Sequence, residues 1–144
     1  MQTVIFIGIQ ASGKSSFYKE RFFNTHVRIS LDLLRTRHRE KLFLQTCFNS
    51  LMRFVVDNTN ATPLSRQRYI SMAKEHRYRV TGYFFDISLD LALKRNNNRN
   101  GKERIPEKGI RATLKRLVIP EIAEGFDELF RVRVEEGQFR VEQI

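Results

Sequence analysis

Residues 8–15 read Gly-Ile-Gln-Ala-Ser-Gly-Lys-Ser, the spacing G-x-x-x-x-G-K-[ST] of a phosphate-binding loop. The run directly before it, Thr3–Ile7, is β-rich and apolar after its first residue, and Lys14–Phe23 after it reads as a helix. A strand passing into a helix through so short a glycine loop places the chain among α/β folds. Glycines at positions 8 and 13 let the backbone wrap closely, so its N–H groups point at bound phosphates. The helix N-terminus adds partial positive charge. Lys14 is positioned to reach the β- and γ-phosphates, and the Ser15 hydroxyl to ligate Mg²⁺. Gly8, Ala11, Ser12, Gly13, Lys14, Ser15 and Ser16 are therefore the candidates for holding the phosphates of ATP or GTP.

The rest of the chain alternates in the same way. A short strand is predicted at Val27–Ser30 and a broken helical region over Leu31–Leu51. Phe54–Asp57 is an apolar strand ending in a carboxylate. Thr62-Pro63 starts a helix that runs to about His76, with Thr at the N-cap and Pro at the first helical position. Val80–Phe85 is the fourth strand, and Ser88–Arg95 a helix. Asn96–Lys108, polar and basic, reads as an exposed loop. Helical spacing of Ile110, Leu114, Leu117 and Val118 lasts until Pro120. Leu129–Val134 closes the sheet; its alternating Arg131 and Arg133 suggest an exposed edge, and Glu136-Gly137 can turn the chain into a final antiparallel strand. The pattern predicts a mostly parallel sheet of about five strands with helices on both faces. With no linker or repeat, residues 1–144 read as one unit.

Composition narrows the partners. Apolar residues make up 41% and aromatic residues 11% of the 144, which argues against disorder. No apolar run approaches the ~18–20 residues of a membrane helix, and the N-terminus does not read as a secretory signal. A lone cysteine, Cys47, fits a reducing cytoplasm. Twenty-six basic against 16 acidic residues leave +10, a field that attracts polyanions, of which nucleic acid is the commonest. Lys94–Arg116 carries nine bases against two acids, most of that surplus. A mobile lid over about residues 96–116, closing on a triphosphate, would be served by such a segment. Arginine neutralises charge that spreads onto transferring oxygens, and Arg95 and Arg99, four apart, are the candidate pair.

A phosphate-binding loop alone does not say what receives the phosphoryl group. Ser30-Leu31-Asp32-Leu33-Leu34-Arg35 follows the second strand, whose carboxyl end faces the same crevice as the loop. Asp32 could take the proton of an attacking hydroxyl, and Arg35 could hold an anionic substrate group. Position alone leaves open whether Asp32 is instead a helix N-cap. Asp57 ends an apolar strand beside the loop, where a carboxylate supports Mg²⁺.

Taken together, GIQASGKS, SLDLLR, VVDNTN followed by SRQRY, KRNNNRNG and IPEIAEGF resemble, in order and over roughly residues 3–134, the 5′-kinase domain of polynucleotide kinases. The resemblance implies ATP as donor, Mg²⁺, and a 5′-OH end of RNA or DNA as acceptor. It implies Asp32 as general base, Arg35 on the phosphate after the 5′-terminal nucleoside, Lys14 and Ser15 on phosphate and Mg²⁺, and Arg99 as lid arginine with Arg95 one turn before. Asp57 matches the strand-end aspartate. Ser30-Leu31 stands where the family often has Asn-Arg or Ser. The companion phosphatase or ligase modules have no room in 144 residues, so a stand-alone kinase is expected. Rival readings are a small-molecule kinase, which leaves Arg35 and the charge unexplained, and a nucleic-acid-binding ATPase without acceptor chemistry.

Overall fold

The computed structural model describes residues 1–144. Six strands form one sheet in the order β2-β3-β1-β4-β5-β6: β1 Gln2–Ile7, β2 Val27–Ile29, β3 Phe54–Val56, β4 Arg79–Phe85, β5 Glu128–Glu135 and β6 Gln138–Gln143. The first five are parallel and β6 returns antiparallel on β5, pairing Arg133 with Arg140 and Glu135 with Gln138. The sheet therefore has one strand more than the expected five. β6, not β5, is the exposed edge, which corrects the reading of Arg131 and Arg133.

Central β1 has β3 on one side and β4 on the other, so residues 3–7 are buried throughout. This explains their unbroken apolar run, since a parallel strand has no solvent face. One face of the sheet carries Ile5, Ile7, Ile29, Val56 and Phe84. It packs on α3 (Arg37–Asn49) and α4 (Pro63–Glu75) through Leu44, Phe48, Tyr69 and Ile70. The other face carries Val4, Phe6, Val55 and Phe85 under Phe17 and Phe22. Phe17 lies on α1 (Lys14–Arg21), which ends two residues earlier than the sequence pattern suggests. Four rings surround Phe6, at 5.0–6.1 Å between centroids, within the range of favourable edge contacts. Gly82 is required by packing: a Cβ there would lie 2.7 Å from both Phe126 and Leu129.

The broken helical region after β2 is α2 (Leu31–Leu34) followed by α3. Thr62 caps α4 as expected, reciprocally with Ser65. The segment between α5 (Leu89–Asn97) and α6 (Glu107–Arg116) is shorter and more ordered than the exposed loop the sequence suggests. Asn96 is buried, and its side chain bonds both the N–H and the C=O of Ile105. That clasp closes the loop and draws Ile105 in beside Ile110 and Ala92. α6 stops at Arg116, four residues before Pro120.

Candidate active site

The phosphate-binding loop leaves β1 at Gly8, whose N–H donates to Thr59 O at 2.9 Å. Asn60, buried and in the left-handed region at φ +46°, donates from its side chain to Phe6 O at 2.7 Å. These bonds join the ends of β1 and β3. Arg66, 0% exposed, supports the junction from behind, bonding both carboxylate oxygens of Glu124 and the carbonyls of Asn60 and Val118. Gly13 turns the loop into α1 at φ +98°, a conformation that costs glycine nothing.

Lys14 is 9% exposed, and its Nζ donates to the carbonyls of Gly8 (3.0 Å) and Ile9 (2.6 Å) and to Ser12 Oγ (3.3 Å). Burial lowers its amine from the ordinary 10.5 to about 8. Such an ammonium is held by three oxygens yet short of a full counter-charge, and an incoming phosphate supplies one. Beside it, Ser15 Oγ donates to Asp57 Oδ2 at 3.0 Å. Asp57 is only 4% exposed. Arg28, from β2, donates to the same Asp57 oxygen through Nε (2.8 Å) and to Ser15 Oγ through Nη2 (3.2 Å). An all-oxygen pair of hydroxyl and carboxylate suits Mg²⁺, which usually takes its remaining ligands from water and substrate phosphates. A cationic group already engages both oxygens, so the donor set fits that ion.

Above these residues opens a cleft of about 740 Å³, lined by Ala11–Ser16, Asp57, Asp32, Arg35 and Arg99 among others. Gly8 and Arg95 are not among the residues that line it; the Arg95 Nη1 lies 3.3 Å from where a Cβ on Gly13 would stand. Asp32 is exposed in the first turn of α2. Ser30, not Asp32, occupies the N-cap position, so the helix-cap reading of Asp32 does not hold. Arg35 ends α2 at φ +74°, ψ −38°, a strained conformation for a side-chain-bearing residue. Arg99 spends one donor on Glu103 O at 3.3 Å.

Five contributors to the site, Arg28, Asn58, Glu40, Tyr69 and Gln10, were given no role by the sequence patterns. Arg28 is one, and a guanidinium in the middle of a strand was its only signal. Asn58 accepts from Leu31 N–H at 2.9 Å and donates to buried Glu40 at 3.4 Å, while Tyr69 OH donates to Glu40 at 2.9 Å. Burial, reinforced by Glu40, pushes the Tyr69 phenol up to about 12. This network moors the start of α2, and Asp32 with it, to β3. Gln10 ties the phosphate loop to α6 through Thr113 Oγ1 at 3.0 Å. Long-range side-chain bonds of this kind leave no trace in periodicity.

A family profile described as an AAA domain matches residues 4–118. The chain is 26% identical over 138 residues to the bifunctional polynucleotide phosphatase/kinase of Schizosaccharomyces pombe, covering 91% of this chain and 33% of that protein. A protein of Acanthamoeba polyphaga mimivirus named for the same two activities is 27% identical over 135 residues, covering 89% and 32%. The chain thus spans about a third of the length of the curated relatives it matches. Among solved structures, a gluconokinase from Sinorhizobium meliloti 1021 superposes with a TM-score of 0.66 at 16% identity, covering 94% of this chain and 83% of that one. Chaetomium thermophilum Kti12, solved with ADP-AlF3, gives 0.63 at 16% identity, covering 91% and 88%. At these identities the structures establish the fold, that of P-loop kinases.

Proposed function

The chain belongs to the AAA domain family, and on that premise we propose that it is a polynucleotide 5′-hydroxyl kinase, transferring the γ-phosphoryl group of ATP to the 5′-OH end of RNA or DNA. One observation carries the reading. The cleft that contains the phosphate loop also contains Asp32, an exposed carboxylate, with Arg35 one helical turn beyond it. A nucleotide-hydrolysing site needs no anion-binding arginine on its acceptor side. A kinase for phosphodiester ends does. The polynucleotide phosphatase/kinase relatives support that choice, as does the net charge of +10.

In this mechanism Asp32 accepts the proton of the 5′-hydroxyl as its oxygen forms the new bond to the γ-phosphorus. The bond from that phosphorus to the β–γ bridging oxygen breaks, and ADP departs. Lys14 and Arg99 balance the charge spreading over the phosphoryl oxygens, while loop N–H groups hold the donor in line. Ser15 and Asp57 would hold Mg²⁺, which would neutralise phosphate charge. Arg35 anchors the phosphate after the first nucleoside, and the basic surface tracks the remaining backbone, a contribution that salt weakens.

The test is incubation with γ-labelled ATP and a panel of 5′-OH RNA and DNA strands, free nucleosides and nucleoside 3′-phosphates. Label is expected at the 5′ ends of strands, with strands and 3′-phosphates preferred over nucleosides. Equal labelling of nucleosides and strands would favour a small-molecule kinase. Strand-stimulated phosphate release without labelled strand would favour an ATPase.

A further inference from the structure

Arg28 has no part in the mechanism above, yet it makes the closest contacts to the pair of residues assigned to Mg²⁺. It pairs in register with Val55, so it belongs to the sheet face under α1. Its neighbour Ile29 joins the opposite core. From there its guanidinium grips Asp57 Oδ2 at 2.8 Å and Ser15 Oγ at 3.2 Å.

The Ser15 hydroxyl has one hydrogen, donated to Asp57, and two lone pairs, one of them committed to Arg28. A Mg²⁺ ligand oxygen must present a lone pair at about 2.0–2.1 Å from the ion. A guanidinium and a dication on the same two oxygens would also repel each other. Asp57, with a side chain 3% exposed, cannot simply be left bare, because a buried unpaired carboxylate is strongly destabilising. Arg28 itself is 28% exposed and borders the cleft, so its guanidinium can reach water.

We propose that Arg28 is a resident counter-ion of the divalent-cation seat. It neutralises Asp57 and holds Ser15 while no divalent ion is bound, and it releases at least the Ser15 oxygen when cation and nucleotide bind. Loading is then an exchange of one cation for another, and Arg28 sets the affinity for the divalent ion. The inference rests on the assignment of Ser15 and Asp57 to Mg²⁺, not on the identity of the acceptor.

The experiment compares the full chain with Arg28→Gln and Arg28→Met, reading Mn²⁺ binding at saturating ADP from the spin-resonance signal of free Mn²⁺. Melting temperatures are recorded with EDTA and with Mn²⁺. Removing a competitor of charge-assisted strength should tighten Mn²⁺ binding about ten-fold or more. Both variants should melt lower than wild type in EDTA and gain more from Mn²⁺. Unchanged or weaker Mn²⁺ binding in both, with Asp57→Asn weakening it, overturns the role of Arg28 alone. Binding insensitive to Asp57→Asn removes the seat itself, and the proposal with it. If neither Arg28 variant folds, the wild type decides. The Arg28 Nε–H resonance, protected from exchange in ADP with EDTA, should shift and lose protection in Mg²⁺·ADP. Its persistence there would overturn the proposal.

Discussion

The floor and the rim of the cleft are built on different principles. The floor is buried or half-buried and mutually satisfied: Lys14 on two carbonyls, Ser15 on Asp57, Arg28 on both, and Gly8 and Asn60 joining β1 to β3. The rim, formed by Asp32, Arg35 and Arg99, is exposed or half-exposed, and Arg99 alone has a side-chain bond, to a carbonyl of its own lid. A floor with its hydrogen bonds already made is assembled before ligands arrive. A rim of unspent charges gains its partners from the ligands. Changes in the floor should therefore disturb binding or stability, and changes in the rim should disturb turnover and leave the fold alone.

The largest effect is expected from the floor. Lys14→Ala should abolish transfer and greatly weaken ATP binding, because no other ammonium sits inside the loop. Single-turnover labelling and calorimetric ATP titration measure both, and near-normal activity would break the assignment of the floor to the donor.

Asp32→Asn is the sharpest test of the rim. A general base contributes typically ~10²–10⁴-fold, so kcat should fall by that order. An exposed site of this kind alters stability by no more than about 0.5 kcal/mol, so melting and ATP binding should hold. Transfer within a few-fold of wild type would end the case for Asp32 as base.

Arg35→Leu should cost roughly ten- to a hundred-fold in kcat/KM on oligonucleotides, the worth of a charge-assisted contact of about 1.5–3 kcal/mol. A bare nucleoside should be little affected. Equal losses on nucleoside and nucleoside 3′-phosphate would show that Arg35 is not an acceptor clamp.

Lys14 also predicts a pH dependence particular to the floor. Its folded value of about 8 lies below its ordinary 10.5, so between these pH values the unfolded chain holds more protons than the folded one. Stability of the ligand-free protein should thus carry a contribution that rises with pH across this window and vanishes in Lys14→Met. Phosphate binding needs the ammonium, so ATP affinity should fall by up to about tenfold per pH unit above 8. An affinity flat from pH 7.5 to 9.5 would contradict the buried amine.

The smallest effect concerns backbone strain. Arg35 holds φ +74°, a region glycine enters freely. Arg35→Gly should raise stability by about 1 kcal/mol in urea unfolding while losing the clamp as Arg35→Leu does. A destabilised glycine variant would mean that the Arg35 side chain supports the fold.

Most of the element order was legible in the sequence, because burial on two faces writes itself into strands as apolar runs, such as Val4–Ile7 and Phe54–Val56. The phosphate loop was legible for a similar reason: its chemistry needs adjacent residues at one spacing, so Gly8 through Ser16 announce themselves locally. Thr62-Pro63 marked the start of α4 by cap chemistry alone. The antiparallel return of β6 through Glu136-Gly137 was legible as well, whereas the Asn96 clasp on Ile105, nine residues on, was not. What tertiary structure decided involves residues far apart in the chain. Arg28 reaches Ser15 and Asp57, 13 and 29 residues away. Only the parallel packing of β2 and β3 beside the phosphate loop brings those three side chains together, so no local pattern could have shown which charge Asp57 faces.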